Sequence, residues 1–220
     1  IWVGTRHGLS RYSVENESFT RFDSENYIHS ILEDRKGFLW YGTYYGLYRL
    51  NVQTGDLLNF QPQIENPNSL THEVVWEIFE DSGGRLWFGT ANGLTLYDND
   101  DSFRFLPISP EPENPNGLKT GRIWSFVQQK NGTIWLGAND GFYRVHEVGN
   151  DLKFQHFGHK PDDKNSLSHP FIEDMILDKN EHLWVGTWQG GLNEVVLPKT
   201  ENDSIKFTRF QHNPNDENSI

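Results

Sequence analysis

The 220 residues suffice for one or two domains with a real core, and an aromatic share of 14% excludes a disordered chain. Mean hydropathy is −0.70, and no apolar run approaches the ~20 residues of a membrane helix. Lys+Arg 19 against Asp+Glu 31 gives a net charge of −12, which repels phosphate backbones and anionic bilayers, so neither a nucleic-acid partner nor direct membrane contact is expected.

The chain opens on Ile1-Trp2-Val3-Gly4-Thr5, without Met or a signal peptide, and this opening is already part of a repeat. The Trp-x-Gly-Thr core returns at Trp40-Tyr41-Gly42-Thr43, Trp87-Phe88-Gly89-Thr90, Trp135-Leu136-Gly137-Ala138 and Trp184-Val185-Gly186-Thr187, at spacings of 38, 47, 48 and 49 residues. A Gly and an apolar residue follow each core: Gly8-Leu9, Gly46-Leu47, Gly93-Leu94, Gly141-Phe142 and Gly191-Leu192. Aromatic or apolar pairs come next, as in Phe19/Phe22, Leu57/Phe60 and Phe207/Phe210, and then Asn-containing turns such as Asn66-Pro67-Asn68-Ser69-Leu70.

Within one period the elements read in order. Residues 74–80 are β-branched, aromatic and acidic, of strand length. Asp81-Ser82-Gly83-Gly84 is a turn, and 85–90 a second strand. Ala91-Asn92 turns into a third strand at 93–97, and 98–101 turns into a fourth at 103–106. No stretch carries a capped 3.6-residue period. The inner strands are apolar on both faces (Ile28, Ile31, Leu32; Val75, Ile78, Phe79), as expected of sheets covered on both sides.

A four-stranded meander repeated every 45 to 50 residues predicts an all-β fold, a β-propeller. The expected layout is the end of a first blade at 1–27, blades at 28–65, 66–115, 116–164 and 165–212, and the start of another at 213–220. About five blades would form an open arc, part of a larger ring within a longer polypeptide, with strand edges prone to association. Trp2, Trp40, Trp87, Trp135 and Trp184 are expected as core plates between sheets, with Gly4, Gly42, Gly89, Gly137 and Gly186 giving room for close approach.

The unit Ile28-x-x-Ile31-x-x-Asp34-x-x-Gly37-x-Leu39-Trp40-x-Gly42-Thr43-x-x-Gly46-Leu47 resembles the two-component regulator propeller repeat, as does the unit from Val75 to Leu94. Ala138 departs from its Thr, Gln129 from its turn Asp and Glu181 from its turn Gly. Asn180 is expected to take the left-handed position there, and Gly190 is an added residue. The resemblance implies the periplasmic sensor region of an inner-membrane protein. The resemblance implies a seven-bladed ring: tandem seven-bladed propellers, an immunoglobulin-like domain and a membrane helix would precede a histidine kinase or diguanylate cyclase. It also implies an oligosaccharide ligand, and a homodimeric parent fits the same picture.

Ligand contacts are expected where the scaffold varies. The second-to-third strand tips are Arg6-His7, Tyr44-Tyr45, Ala91-Asn92, Asn139-Asp140 and Trp188-Gln189-Gly190. Eleven residues before four core tryptophans stand His29, Trp76, Trp124 and Glu173, each followed by a polar residue: Ser30, Glu77, Ser125 and Asp174. Aromatic faces with carboxylate and amide partners suit sugars. Trp76 and Trp124 suit packing between blades ahead of ligand contact, and Glu77 and Asp174 suit channel water. An enzyme reading would draw its carboxylate pair from Glu77, Glu173 and Asp174; a protein-interaction scaffold is the other alternative. No cofactor, metal or catalytic residue is expected: the 98–101 run lacks the Gly and Glu of a calcium loop, the nine His have no ligand spacing, and Cys is absent.

Overall fold

This computed structural model describes residues 1–66, 68–97, 103–106, 114–149, 151–198 and 204–220; the 98–101 turn and Pro67 lie outside the described residues. Those residues form strands and turns, with no helix among them. They divide into two compact units, Ile1–Pro107 and Ile108–Ile220.

The first unit holds three antiparallel sheets, each with its strands in chain order. The first has three strands, β1 (Trp2–Thr5), β2 (Gly8–Ser13) and β3 (Ser18–Arg21), and lacks an innermost strand, as the repeat predicts. The second is β4 (Ile28–Glu33), β5 (Phe38–Thr43), β6 (Gly46–Asn51) and β7 (Leu57–Phe60). The third is β8 (Val75–Glu80), β9 (Leu86–Thr90), β10 (Gly93–Tyr97) and β11 (Phe103–Leu106). The second unit holds two more four-stranded meanders: β12 (Ile123–Gln128), β13 (Ile134–Ala138), β14 (Gly141–Val148) and β15 (Asp151–Phe157), then β16 (Ile172–Leu177), β17 (Leu183–Thr187), β18 (Gly191–Val196) and β19 (Lys206–Phe210). The fold is all-β, built of four-stranded antiparallel sheets of the β-propeller blade type.

In three of the four-stranded sheets the turn between the first two strands is locked by one Asp side chain. Asp34 Oδ1 accepts the backbone N–H of Lys36 and Phe38, and Oδ2 accepts the Trp40 indole N–H at 2.7 Å. Asp81 does the same for Gly83, Arg85 and the Trp87 indole (2.9 Å). The turn Asp and the core Trp are therefore one device, in which a buried indole N–H is satisfied without water. Gln129 keeps the indole bond, its Oε1 accepting from Trp135 at 2.9 Å. Burial opposes the charged form of Asp81, but the bonds from Trp87 and Arg85 outweigh it and hold the carboxyl below its usual 3.8.

In the fourth of these turns the left-handed residue is Glu181 (φ 63), not Asn180. Asp178 Oδ1 holds the N–H of Asn180 and His182, which fixes the register and leaves position 181 where the other turns place Gly37, Gly84 and Gly132.

The Trp-x-Gly glycines are seats for the following sheet. A Cβ on Gly4 would lie 2.6 Å from Ile28 Cγ2; on Gly42, 2.7 Å from the Val75 carbonyl; on Gly137, 2.8 Å from Ile172 Cγ2. Trp40, Trp87 and Trp135 are completely buried, as the core reading expects. Trp2 and Trp184 are only partly buried. Trp2 meets Phe22 edge-on at 4.8 Å, and Trp184 stacks on Phe210 at 5.8 Å. A Cβ on Gly186 would find only the Asp174 carbonyl, at 3.7 Å.

Candidate functional site

The Thr of each core shapes the tip that follows. Thr43 Oγ1 donates to the Gly46 carbonyl and accepts the Tyr45 N–H, leaving Tyr44 and Tyr45 at the turn apex. Thr5 and Thr90 hold the tips at His7 and Asn92 in the same way. Arg6, His7, Tyr44, Tyr45, Asn92, Trp188 and Gln189 are all exposed; Tyr45 is 63% exposed and Trp188 53%. Gln189 takes a left-handed φ of 56°, which absorbs the extra residue of that tip. Ala138 has no hydroxyl, and its tip is held differently: Thr120 Oγ1 bonds Asn139 Oδ1, and the Tyr143 hydroxyl donates to Asp140 Oδ2 at 2.7 Å. Burial first, and then Asp140, push the Tyr143 phenol far up.

His29, Trp76, Trp124 and Glu173 share a feature that sequence reading missed. Each innermost strand carries a β-bulge: between Ile28 and Ser30, Val75 and Glu77, Ile123 and Ser125, and Ile172 and Asp174. The residue left out of the ladder is in each case one of these four. A bulge re-aims a side chain, so these variable residues are set apart from the packing pattern of their strands.

The polar residues that follow them act mainly between inner strands. Ser30 Oγ accepts the Ile78 N–H at 3.2 Å. Ser125 Oγ accepts the Met175 N–H at 3.1 Å and donates to Asp174 Oδ1 at 2.8 Å. Glu77 is partly buried, and Glu173 and Asp174 are exposed.

In the first unit the tip and bulge residues come together. The His29 ring stacks on Tyr27 (4.7 Å between centroids) and meets Tyr44 (4.3 Å) and Trp76 (4.5 Å) edge-on. The Arg6 guanidinium lies over the Tyr27 ring at 5.7 Å. The result is an aromatic floor of Tyr27, His29, Tyr44 and Trp76 drawn from two sheets, with Arg6 of a third over it and His29 Nε2 buried without a hydrogen-bond partner. Burial lowers the His29 pKa from its usual 6.5 and keeps the ring neutral. Tyr27 was not foreseen; its signal was position, two residues before a bulge. In the second unit the equivalent residue is Phe171, 47% exposed, whose carbonyl accepts the Trp188 N–H.

A family model described as "two component regulator propeller" matches residues 23–45 and 69–92. Each match runs from the linker before an inner strand, through the bulge and the Asp–Trp turn, to the tip at Tyr45 or Asn92. Over these two segments the chain is similar to the two-component regulator propeller repeat. In the sheets outside the two matches, Trp135 and Trp184 keep the same indole bond, to Gln129 and Asp178.

Among solved structures, the extracellular domain of a hybrid two-component system from B. thetaiotaomicron is 27% identical across 88% of this chain and 26% of its own, with a TM-score of 0.43. Virginiamycin B lyase from Staphylococcus aureus is 18% identical across 84% of this chain and 55% of its own, at a TM-score of 0.55. PorZ of Porphyromonas gingivalis is 18% identical across 88% of this chain and 30% of its own, at 0.58. The latter two bear on the fold alone. The chain spans about a quarter of the first structure's length. A comparison with curated proteins finds no match.

Proposed function

We propose that this chain is part of the extracytoplasmic sensor of a two-component regulator and binds an oligosaccharide through its tip and bulge residues, without chemistry of its own. One observation carries the reading. The residues that vary between repeats (Arg6, His29, Tyr44 and Trp76) converge on one aromatic floor in the first unit, while the repeat-constant residues are consumed in turns and seats. Aromatic faces stack on the apolar faces of sugar rings, and Arg6 supplies donors for hydroxyls. Asn92 in the same unit, and Asn139, Asp140, Trp124, Glu173, Trp188 and Gln189 in the second unit, are further proposed ligand contacts at their own tips and inner strands. Binding would act by population shift, favouring one arrangement of paired sensors. The parent is proposed to be a periplasmic sensor anchored in the inner membrane, with a kinase or cyclase output.

Titration calorimetry of the folded chain against a panel of plant and host oligosaccharides tests this. Saturable heat with at least one member, lost in Tyr44→Ala/Tyr45→Ala, is expected. Silence across the panel, or heat untouched by the double substitution, contradicts it.

A further inference from the structure

A concave site lies in the second unit, and none of the bulge residues lines it. A groove of about 470 Å³ runs along the outer strand β15 and is lined by Asn116, Lys119, His146, Lys153, Gln155 and His156, among others. In a chain of net charge −12, it presents two ammonium groups and two imidazoles, and among the described residues no carboxylate lines it. It is also built rather than incidental. The Asn116 carbonyl accepts the Phe154 N–H, which fastens the linker to the edge of β15 and forms one wall. His146 and Lys153 face each other across the β14–β15 ladder, and Gln155 Oε1 contacts His146 Nε2 at 3.4 Å. His156 packs on Tyr143 (4.7 Å), with Nε2 3.0 Å from the Asp140 carbonyl, so its ring is fixed. Asp140 is the carboxylate that reaches this set, 3.5 Å from His156 Nε2, and Oδ2 already accepts the Tyr143 hydroxyl.

We propose that this groove binds a small oxyanion-bearing ligand: a carboxylated sugar unit, or a free oxyanion of the same chemistry. Lysine ammonium groups supply the charge and rotatable donors; the imidazole, carboxamide and backbone edges supply directed polar contacts for the rest of the molecule. The site is separate from the aromatic floor, so it stands or falls independently of the sugar-sensing reading. Yet it is wired to a tip: the Lys119 N–H donates to the Tyr143 hydroxyl, which holds Asp140. Occupancy would therefore be felt at the Asn139–Asp140 turn.

The test is a histidine-ring NMR titration of the whole chain, with inorganic sulfate, glucuronate and neutral glucose as separate arms. The His146 and His156 signals are expected to shift together and saturate, with half-saturation below about 1 mM, while the exposed His7 and His212 stay in place. Lys119→Gln/Lys153→Gln replaces two exposed side chains; it should retain the fold and require at least about tenfold more titrant. Equal response to sulfate and glucuronate assigns the site to free oxyanions; a clear preference for glucuronate assigns it to a carboxylated sugar. Absence of saturation, an equal response to glucose, or unchanged binding in the double variant overturns the proposal.

Discussion

The glycine seats give the sharpest prediction, because one chemical change should have opposite consequences at equivalent positions. In Gly42→Ala the new methyl group would lie 2.7 Å from the Val75 carbonyl and 2.9 Å from its Cγ1, so the β4–β7 and β8–β11 sheets must separate. Overpacking of this kind costs about 1–3 kcal/mol. For a chain of this size that lowers Tm by roughly 2–12 °C. Gly4→Ala, at 2.6 Å from Ile28, belongs to the same class. In Gly186→Ala the nearest atom is the Asp174 carbonyl at 3.7 Å, an ordinary contact. That substitution should be neutral, or stabilise by up to about 1 kcal/mol through lost freedom of the unfolded chain. Thermal and urea denaturation of the three variants at matched pH decides the matter. Equal losses at Gly42 and Gly186 would refute the idea that these glycines exist to receive a neighbouring sheet.

Other outcomes follow from the turns and the aromatic floor. Trp87→Phe keeps most of the buried ring but removes the donor to Asp81, and should cost about 1–3 kcal/mol in denaturant unfolding. Ser30→Ala strips the Ile78 N–H of its acceptor and should cost about 1 kcal/mol by the same measurement. Stability should fall on acidification from pH 7 toward 5. His29 is held neutral by burial, so the unfolded chain takes up the proton first; its contribution is complete above 6.5 and is lost as pH falls through the lower folded value. His29→Phe should flatten that limb of the curve. Asp81 adds a second loss of the same sign, which begins only near its usual 3.8 and below.

Much of the fold was legible because the repeat states each rule several times. The strands read at 74–80, 85–90, 93–97 and 103–106 are found at Val75–Glu80, Leu86–Thr90, Gly93–Tyr97 and Phe103–Leu106. The Arg85 discrepancy is physical: its carbonyl accepts the Asp81 N–H and its N–H is held by Asp81 Oδ1, which keeps it in the turn. The link between the turn Asp and the core Trp was not legible, since a hydrogen bond between residues 81 and 87 leaves no periodic trace beyond their joint recurrence. Glu181 was misread because residue type favours Asn in a left-handed turn, whereas register, set by the Asp178 bonds, decides which residue stands there. At the candidate site, position identified His29, Trp76, Trp124 and Glu173, but not that each is a bulge. A bulge is a count of residues on one strand against its partner, and a single strand does not carry that count. Tyr27 was missed for a related reason: it lies in a linker and acquires meaning only through the rings packed around His29.

The central claim, that tip and bulge residues form the ligand surface, is tested most directly by amide hydrogen exchange on the chain with and without a bound oligosaccharide. Added protection is expected at residues 27–29, 44–45 and 75–77, with the outer strands Ser18–Arg21 and Leu57–Phe60 unchanged. Protection confined to those outer strands, with the tips exchanging as in the free protein, would contradict the account.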